Sequence, residues 1–197
     1  MAFVLCVAGL TACSSIALVP AGEHRLAGGL TVHSAIAWNR PPSRLLKEGS
    51  GEVWTGDGLM VDALILISGV ENGRPIFHAP SRQVKERKVP VFRSGMLPGE
   101  LAELIQATFA NRLGVTLFEI ERLAPYRFAG ASGFEMEFQM TMADDVLRRG
   151  LAAGAVIDGR LYLVIFEAPD LYYFARYRTE VERLIASARA ETSSAGP

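Results

Sequence analysis

Residues 150–167 read GLAAGAVIDGRLYLVIFE, two apolar runs on either side of Asp158-Gly159. An Asp-Gly pair in this setting is the strongest short-range hairpin signal, because both central residues of the tight turn need φ > 0. Leu161 to Phe166 is apolar without a break, so this strand is expected at the centre of a sheet covered on both faces. Just upstream, Phe134, Met136, Phe138 and Met140 alternate with Glu135, Glu137 and Gln139. That period of two predicts a strand with one dry face and one face turned to water or polar partners.

Working outward, Leu59 to Ile67 is apolar on both faces apart from Asp62, and reads as a second central strand. Gly56-Asp57-Gly58 joins it to Glu52–Thr55 as a hairpin. Leu30, Val32, Ile36 and Trp38 share one parity and predict a half-buried strand. Ile76-Phe77 reads as a short return strand, and Val115 to Leu123 as a strand ended by Pro125. A helix is expected over Leu97–Leu113, with Pro98 in its first turn, Glu100 and Glu103 at the positive end of its dipole and Gly114 at its C′ position. A second helix is expected from Leu171 to Ala190. Together these make an α+β domain, a mainly antiparallel sheet of about six or seven strands with helices packed on its faces.

Composition narrows the function. Half of the 197 residues are hydrophobic and 21% are charged, which excludes a disordered chain. The formal net charge is −1, so there is no electrostatic reason to expect a nucleic-acid partner. Cys6 and Cys13 are the only cysteines, too few for a disulfide framework or a cysteine zinc cluster. His24, His33 and His78 lack the spacing of a histidine metal motif. No metal and no cofactor is expected.

The N-terminus carries the clearest address. Ala2 to Leu10 is uncharged and almost wholly apolar, shorter than the roughly 20 residues a spanning helix needs. It fits the apolar core of a secretory signal, although Met1-Ala2-Phe3 lacks the usual Lys or Arg. Leu10-Thr11-Ala12-Cys13 resembles the bacterial lipoprotein box. The resemblance implies a signal peptide over residues 1–12, acylation of Cys13, and a membrane contact made through those acyl chains. Residues 13–29, with Pro20, Gly22, Gly28 and Gly29, then read as a tether, 30–190 as the domain and 191–197 as a disordered tail. Ser14, rather than Asp, follows the cysteine, which by the same resemblance favours the periplasmic face of the outer membrane in a Gram-negative source.

The order of elements from Leu30 to Arg189 resembles the PsbP-like fold, shared by a photosystem II extrinsic subunit, a Ran-binding import factor and many bacterial lipoproteins. The carriers are the strand ending in Trp38, the Trp54-Thr55-Gly56-Asp57-Gly58 turn and the Met96-Leu97-Pro98-Gly99-Glu100-Leu101 helix start. Gly130-Ala131-Ser132-Gly133-Phe134, Leu161-Tyr162 and a last helix ending near Ser187 complete them. The resemblance implies an assembly, binding or accessory factor and supplies no catalytic residue set.

The residues themselves give no persuasive catalytic constellation. Ser132 sits in Gly130-Ala131-Ser132-Gly133, which has the wrong spacing for a nucleophile elbow and reads as a tight turn. Asp57 reads as a turn residue and Asp144-Asp145 as a solvated pair. Asp62, on a buried strand, needs an Arg or a backbone N–H as partner. The basic run Arg82, Lys85, Arg87 and Lys88 reads as a solvated loop, with anionic headgroups as the alternative contact. Tyr172, Tyr173 and Arg176 form the candidate partner surface, since aromatics and Arg are enriched in binding hot spots. The expected function is a non-enzymatic, membrane-anchored envelope lipoprotein that binds an envelope protein or small ligand. The alternatives are a lipid- or cell-wall-directed hydrolase and a cytoplasmic protein.

Overall fold

The computed structural model describes residues 16–86 and 88–191. Cys13 and the expected signal peptide lie outside these residues, as do 192–197 of the expected tail. The chain runs β1 (Ala17–Val19), β2 (Gly22–Arg25), β3 (Leu30–Ser34), β4 (Trp38–Arg40), β5 (Gly51–Trp54) and β6 (Ala63–Val70). There follow α1 (Ser81–Lys85), α2 (Pro98–Leu113), β7 (Leu117–Phe128), β8 (Ala131–Thr141), β9 (Leu147–Ile157) and β10 (Arg160–Pro169). A π-helical turn (Asp170–Phe174) leads into α3 (Ala175–Ala186), and β11 (Arg189–Ala190) closes the described chain.

Six strands form one antiparallel sheet in the order β5-β6-β10-β9-β8-β7. The Asp158-Gly159 turn joins β9 to β10 as expected, with φ of 49° and 72°. Both residues are left-handed, which matches the twist of the strands they connect. Strands β6 and β10 lie inside the sheet and are buried on both faces. One core forms where Ile65, Ile67, Leu163, Ile165 and the Phe134–Met140 stripe meet α2 through Leu101, Leu104, Ile105 and Phe109. The other forms where Leu64, Leu66, Val164 and Phe166 meet Tyr177, Val181, Leu184 and Ile185 of α3. Trp38, Trp54, Leu30 and Val32 extend this second core under the small sheets β1-β4 and β11-β3-β2.

Helix α2 begins and ends as its sequence predicts. The Leu97 N–H donates to Glu100 Oε2 at 2.7 Å, and Gly114 ends the helix at φ 67°.

Six stretches differ from the sequence reading. The strand expected from Leu30 to Trp38 is two, β3 and β4 in different sheets, because the chain bends after Ser34, whose hydroxyl donates to the Ile36 carbonyl at 2.9 Å. Residues 17–25, expected as tether, form β1 and β2, and they bury Val19 and Leu26 over the tryptophans. These strands of three and four residues are too short for an alternation to register. Leu59–Asp62 forms no strand, because the chain folds back on itself with Val61 and Asp62 N–H groups both donating to the Gly58 carbonyl. Ile76-Phe77 is loop, buried by packing rather than by pairing, with the Phe77 ring centroid 5.4 Å from that of Phe109. Strand β7 passes through Pro125 to Phe128, since an edge strand leaves one row of its N–H groups unpaired and loses nothing to proline there. The last helix stops at Ala186, and Arg189-Ala190 pairs with β3 instead. Glu191 is tied in as well, its N–H on the Gly29 carbonyl and its carboxylate on Arg25.

The fit of Phe138 to its neighbour gives a stability test. Its ring lies over Gly150, where a Cβ would come within 2.0 Å of it. Phe138→Ala is expected to cost about 3–5 kcal/mol in denaturant unfolding. Gly150→Ala should destabilise the parent yet cost much less in the Phe138→Ala background, a non-additivity that a double-mutant cycle reads directly.

Candidate functional site

The polar face of β8 is internally paired. Glu137 takes Arg178 at 3.1 Å, Arg122 at 3.5 Å and Arg149 at 3.8 Å, while Glu135 pairs with Arg122 and Gln139 bonds Glu121. Its charges answer one another across β7, β8, β9 and α3. The more distinctive surface is the neighbouring end of the sheet, where β10 runs into the π-helical turn.

There the β5–β6 loop is held as a fixed body. The buried Asp62 carboxylate accepts the N–H groups of Gly56 and Asp57, each at 2.7 Å, and the Thr55 hydroxyl at 3.0 Å. Although it lies in the loop before β6 and not on a strand, it finds the backbone partners that a buried carboxylate requires. Arg148, buried and paired with Glu167, donates to the Val61 carbonyl at 2.7 Å and pins the far side of the loop. Burial pushes the Glu167 carboxyl up against the opposing pull of Arg148.

Asp57 does more than turn the chain. Its carboxylate accepts the Tyr177 hydroxyl at 2.8 Å and pairs with Arg176 at 3.2 Å, tying the loop to α3. A side chain on Gly56 would run into the Tyr177 ring, its Cβ 2.3 Å away, so glycine there lets the loop lie flat on the helix. Burial, then the hydrogen bond from Tyr177 to the Asp57 carboxylate, pushes the phenol up to about 12. Sequence reading saw Asp57 only as a turn residue. The glycine before it, Gly56, was the available signal that something packs closely there, whereas Gly58 serves a positive φ of 111°.

The expected partner residues come together at this end. Arg176 lies over the rings of Tyr177 and Tyr172, at 5.1 and 5.9 Å from their centroids. Tyr172 meets Tyr173 edge-on at 5.3 Å. Tyr173 packs partly against the α3-side core, whereas Tyr172 is 59% exposed and Leu171 wholly so. Leu59 and Met60, also exposed, lie on the β5–β6 loop that Asp57 ties to α3. Leu117 and Leu147, also exposed, share this end of the sheet, since both pair with Thr141. Around these apolar groups stand Asp57, Asp144, Asp145 and Asp170, against Arg149 and Arg176.

The other sequence candidates are dispersed. Ser132 is exposed in β8 and pairs with Arg127, so it is strand rather than turn, and none of the histidines bonds to it. His24 bonds the Pro20 carbonyl and meets the Trp54 ring edge-on, His33 lies in β3, and His78 lies in a loop. The basic run expected as a loop folds in part as α1, whose Arg82 pairs with Glu86.

No family model and no curated protein matches this sequence. Among solved structures, the cyanobacterial PsbP of Synechocystis is similar over 95% of this chain and 99% of its own, at 12% identity and a TM-score of 0.57. LpqN of Mycobacterium tuberculosis, involved in cell envelope biogenesis, matches over 88% of this chain and 90% of its own, at 15% identity and a TM-score of 0.40. The fold is PsbP-like, as the order of elements implied.

The tie between loop and helix is open to titration. Tyr177 should ionise near pH 12 by ultraviolet absorbance, and Asp57→Asn should bring that step down towards the ordinary tyrosine value of about 10. A phenol whose folded pKa is raised contributes stability that is complete below pH ~10 and is lost as pH rises through about 12. The parent should therefore lose stability across that window, and Tyr177→Phe should lose less.

Proposed function

We propose that this chain is a lipid-anchored protein of the bacterial envelope, held by acyl chains on Cys13, and a non-enzymatic accessory factor that docks a protein partner. The docking surface is the sheet end around Leu171, Tyr172, Tyr173 and Arg176. That end is the observation that carries the reading. Apolar side chains stand exposed on rigid strand ends and a pinned loop, Met60 at 90% and Leu171 at 100%. An apolar centre with a polar rim is the anatomy of a protein interface. The rim is predominantly acidic, which complements a partner with basic residues around an apolar knob.

The anchor rests on Leu10-Thr11-Ala12-Cys13 and on the position of the first described strand. Strand β1 starts at Ala17, four residues past Cys13, so acyl chains there would hold the domain within a short reach of the bilayer. A single chain binds only reversibly, and two or more fix a protein at the membrane. Ser14 after the cysteine favours the periplasmic face of the outer membrane in a Gram-negative source. A PsbP-like fold supports an accessory role by analogy alone, since function belongs to sites rather than folds.

Two experiments test the two halves. Cys13→Ser should release the exported protein from the membrane fraction, while Cys6→Ser, in the segment to be removed, should leave it there. A photo-crosslinker at Tyr172 should give one discrete adduct in cells, with none from Asn72 at the other end of the sheet. Leu171→Asp should abolish that adduct. Persistence of the adduct in Leu171→Asp, or an equal adduct from Asn72, contradicts the docking surface.

A further inference from the structure

A cleft opens at the opposite end of the sheet from the apolar surface. Its volume is about 530 Å³, within the range of small-molecule sites and large enough for one headgroup or phosphorylated metabolite. Six segments supply its walls: the β2–β3 turn, the loop before β5, the end of β6, the loop running into α1, α1 itself, and the start of β10. Lys47, Arg74, Lys85 and Arg160 line it against Glu48 and Glu71, a surplus of two positive charges.

These charges are not consumed internally. Arg160 pairs with Glu71 at 3.5 Å, but Lys47, Arg74 and Lys85 make no ion pair with any described residue. The walls that carry them are fixed by backbone bonds rather than left loose. The Ser68 N–H donates to Ser50 at 2.9 Å, the Ser50 N–H to Lys47 at 3.0 Å, and the His78 N–H to Leu45 at 2.7 Å. Gly28 closes on the floor so tightly that a Cβ would fall 1.9 Å from the Ser68 carbonyl oxygen. Ser68 Oγ in turn accepts the Leu30 N–H at 2.9 Å. Like charges held on fixed walls around one concavity repel, and an anion placed among them relieves that repulsion.

We infer that this cleft binds a phosphate group, through Arg74, Lys47 and Lys85, with the His78 ring on its wall. A phosphate offers several acceptor oxygens and more than one negative charge, which suits a guanidinium fork joined by two ammonium groups. A cleft of this volume holds one such group and is too short for a polyanionic strand. The same chemistry is offered by a soluble phosphate ester and by an anionic phospholipid headgroup. The inference stands without the Cys13 anchor, and the test removes the anchor so that the two can fail separately.

Full-length protein carrying Cys13→Ser would be titrated with inorganic phosphate, followed by the amide NMR signals of Gly49, Gly69 and Lys85. The same protein would be sedimented with phosphatidylglycerol–phosphatidylcholine vesicles and with phosphatidylcholine vesicles. Saturable binding of at least one anionic probe is expected, weakened about tenfold or more when Lys47, Arg74 and Lys85 are all changed to Ala. All three side chains are exposed, so the triple variant should melt with the parent. Binding to phosphatidylglycerol vesicles that exceeds the response to phosphate identifies a headgroup; phosphate binding without vesicle binding identifies a soluble ester. Equal binding by parent and triple variant, or saturable binding of neither probe, overturns the site.

Discussion

Strands β6 and β10 set the terms for everything around them. Each is apolar on both faces, and each is hydrogen-bonded on both edges within the sheet. Such strands are stable only if both faces are covered, because a bare face would leave rows of Leu, Ile, Val and Phe in water. Helix α2 answers on one side through Phe109 and its neighbours, and α3 with the small sheets answers on the other. Towards β7 and β8 the α3-side cover gives out, and the sheet face changes there from apolar to the paired charges of Glu135, Glu137 and Arg122. The pattern of charge on the surface thus follows from where the core needs a lid.

Elements whose signal is local and repeated were legible in the sequence. The Asp158-Gly159 turn needs only two residues able to take positive φ, and the Phe134–Met140 stripe repeats four times on one parity. The start of α2 is written in Pro98 and Glu100. What escaped was decided by distant partners. Val19, at the end of the short apolar run from Ile16, and Leu26 give no alternation that marks them as core, and they are buried by Trp38 and Trp54. Phe77 is buried through α2, some thirty residues further on in the sequence, and not through a ladder.

The candidate site shows the same division. Tyr172, Tyr173 and Arg176 were visible as an aromatic and basic cluster at the head of a helix. Nothing in the local sequence said that Asp57, far earlier in the chain, would pair with Arg176 and Tyr177 and so tie the β5–β6 loop with its exposed Leu59 and Met60 to this helix. Likewise the basic run around Lys85 was visible, but its convergence with Lys47 and Arg74 on one cleft depends on how two loops close over the end of β6. The two ends of the sheet are therefore chemically unlike: one apolar with an acidic rim, the other concave and basic. They lie on opposite sides of the sheet, so the proposed protein partner and the proposed phosphate-bearing ligand would not compete for the same surface.

The proposed envelope location rests on an anchor at Cys13, and mass spectrometry of the N-terminal peptide from membrane-fraction protein tests it most directly. The account predicts a mature chain that begins at Cys13, with acyl chains on its sulfur and its new amine. A chain that begins at Met1 and carries an unmodified Cys13 would contradict it.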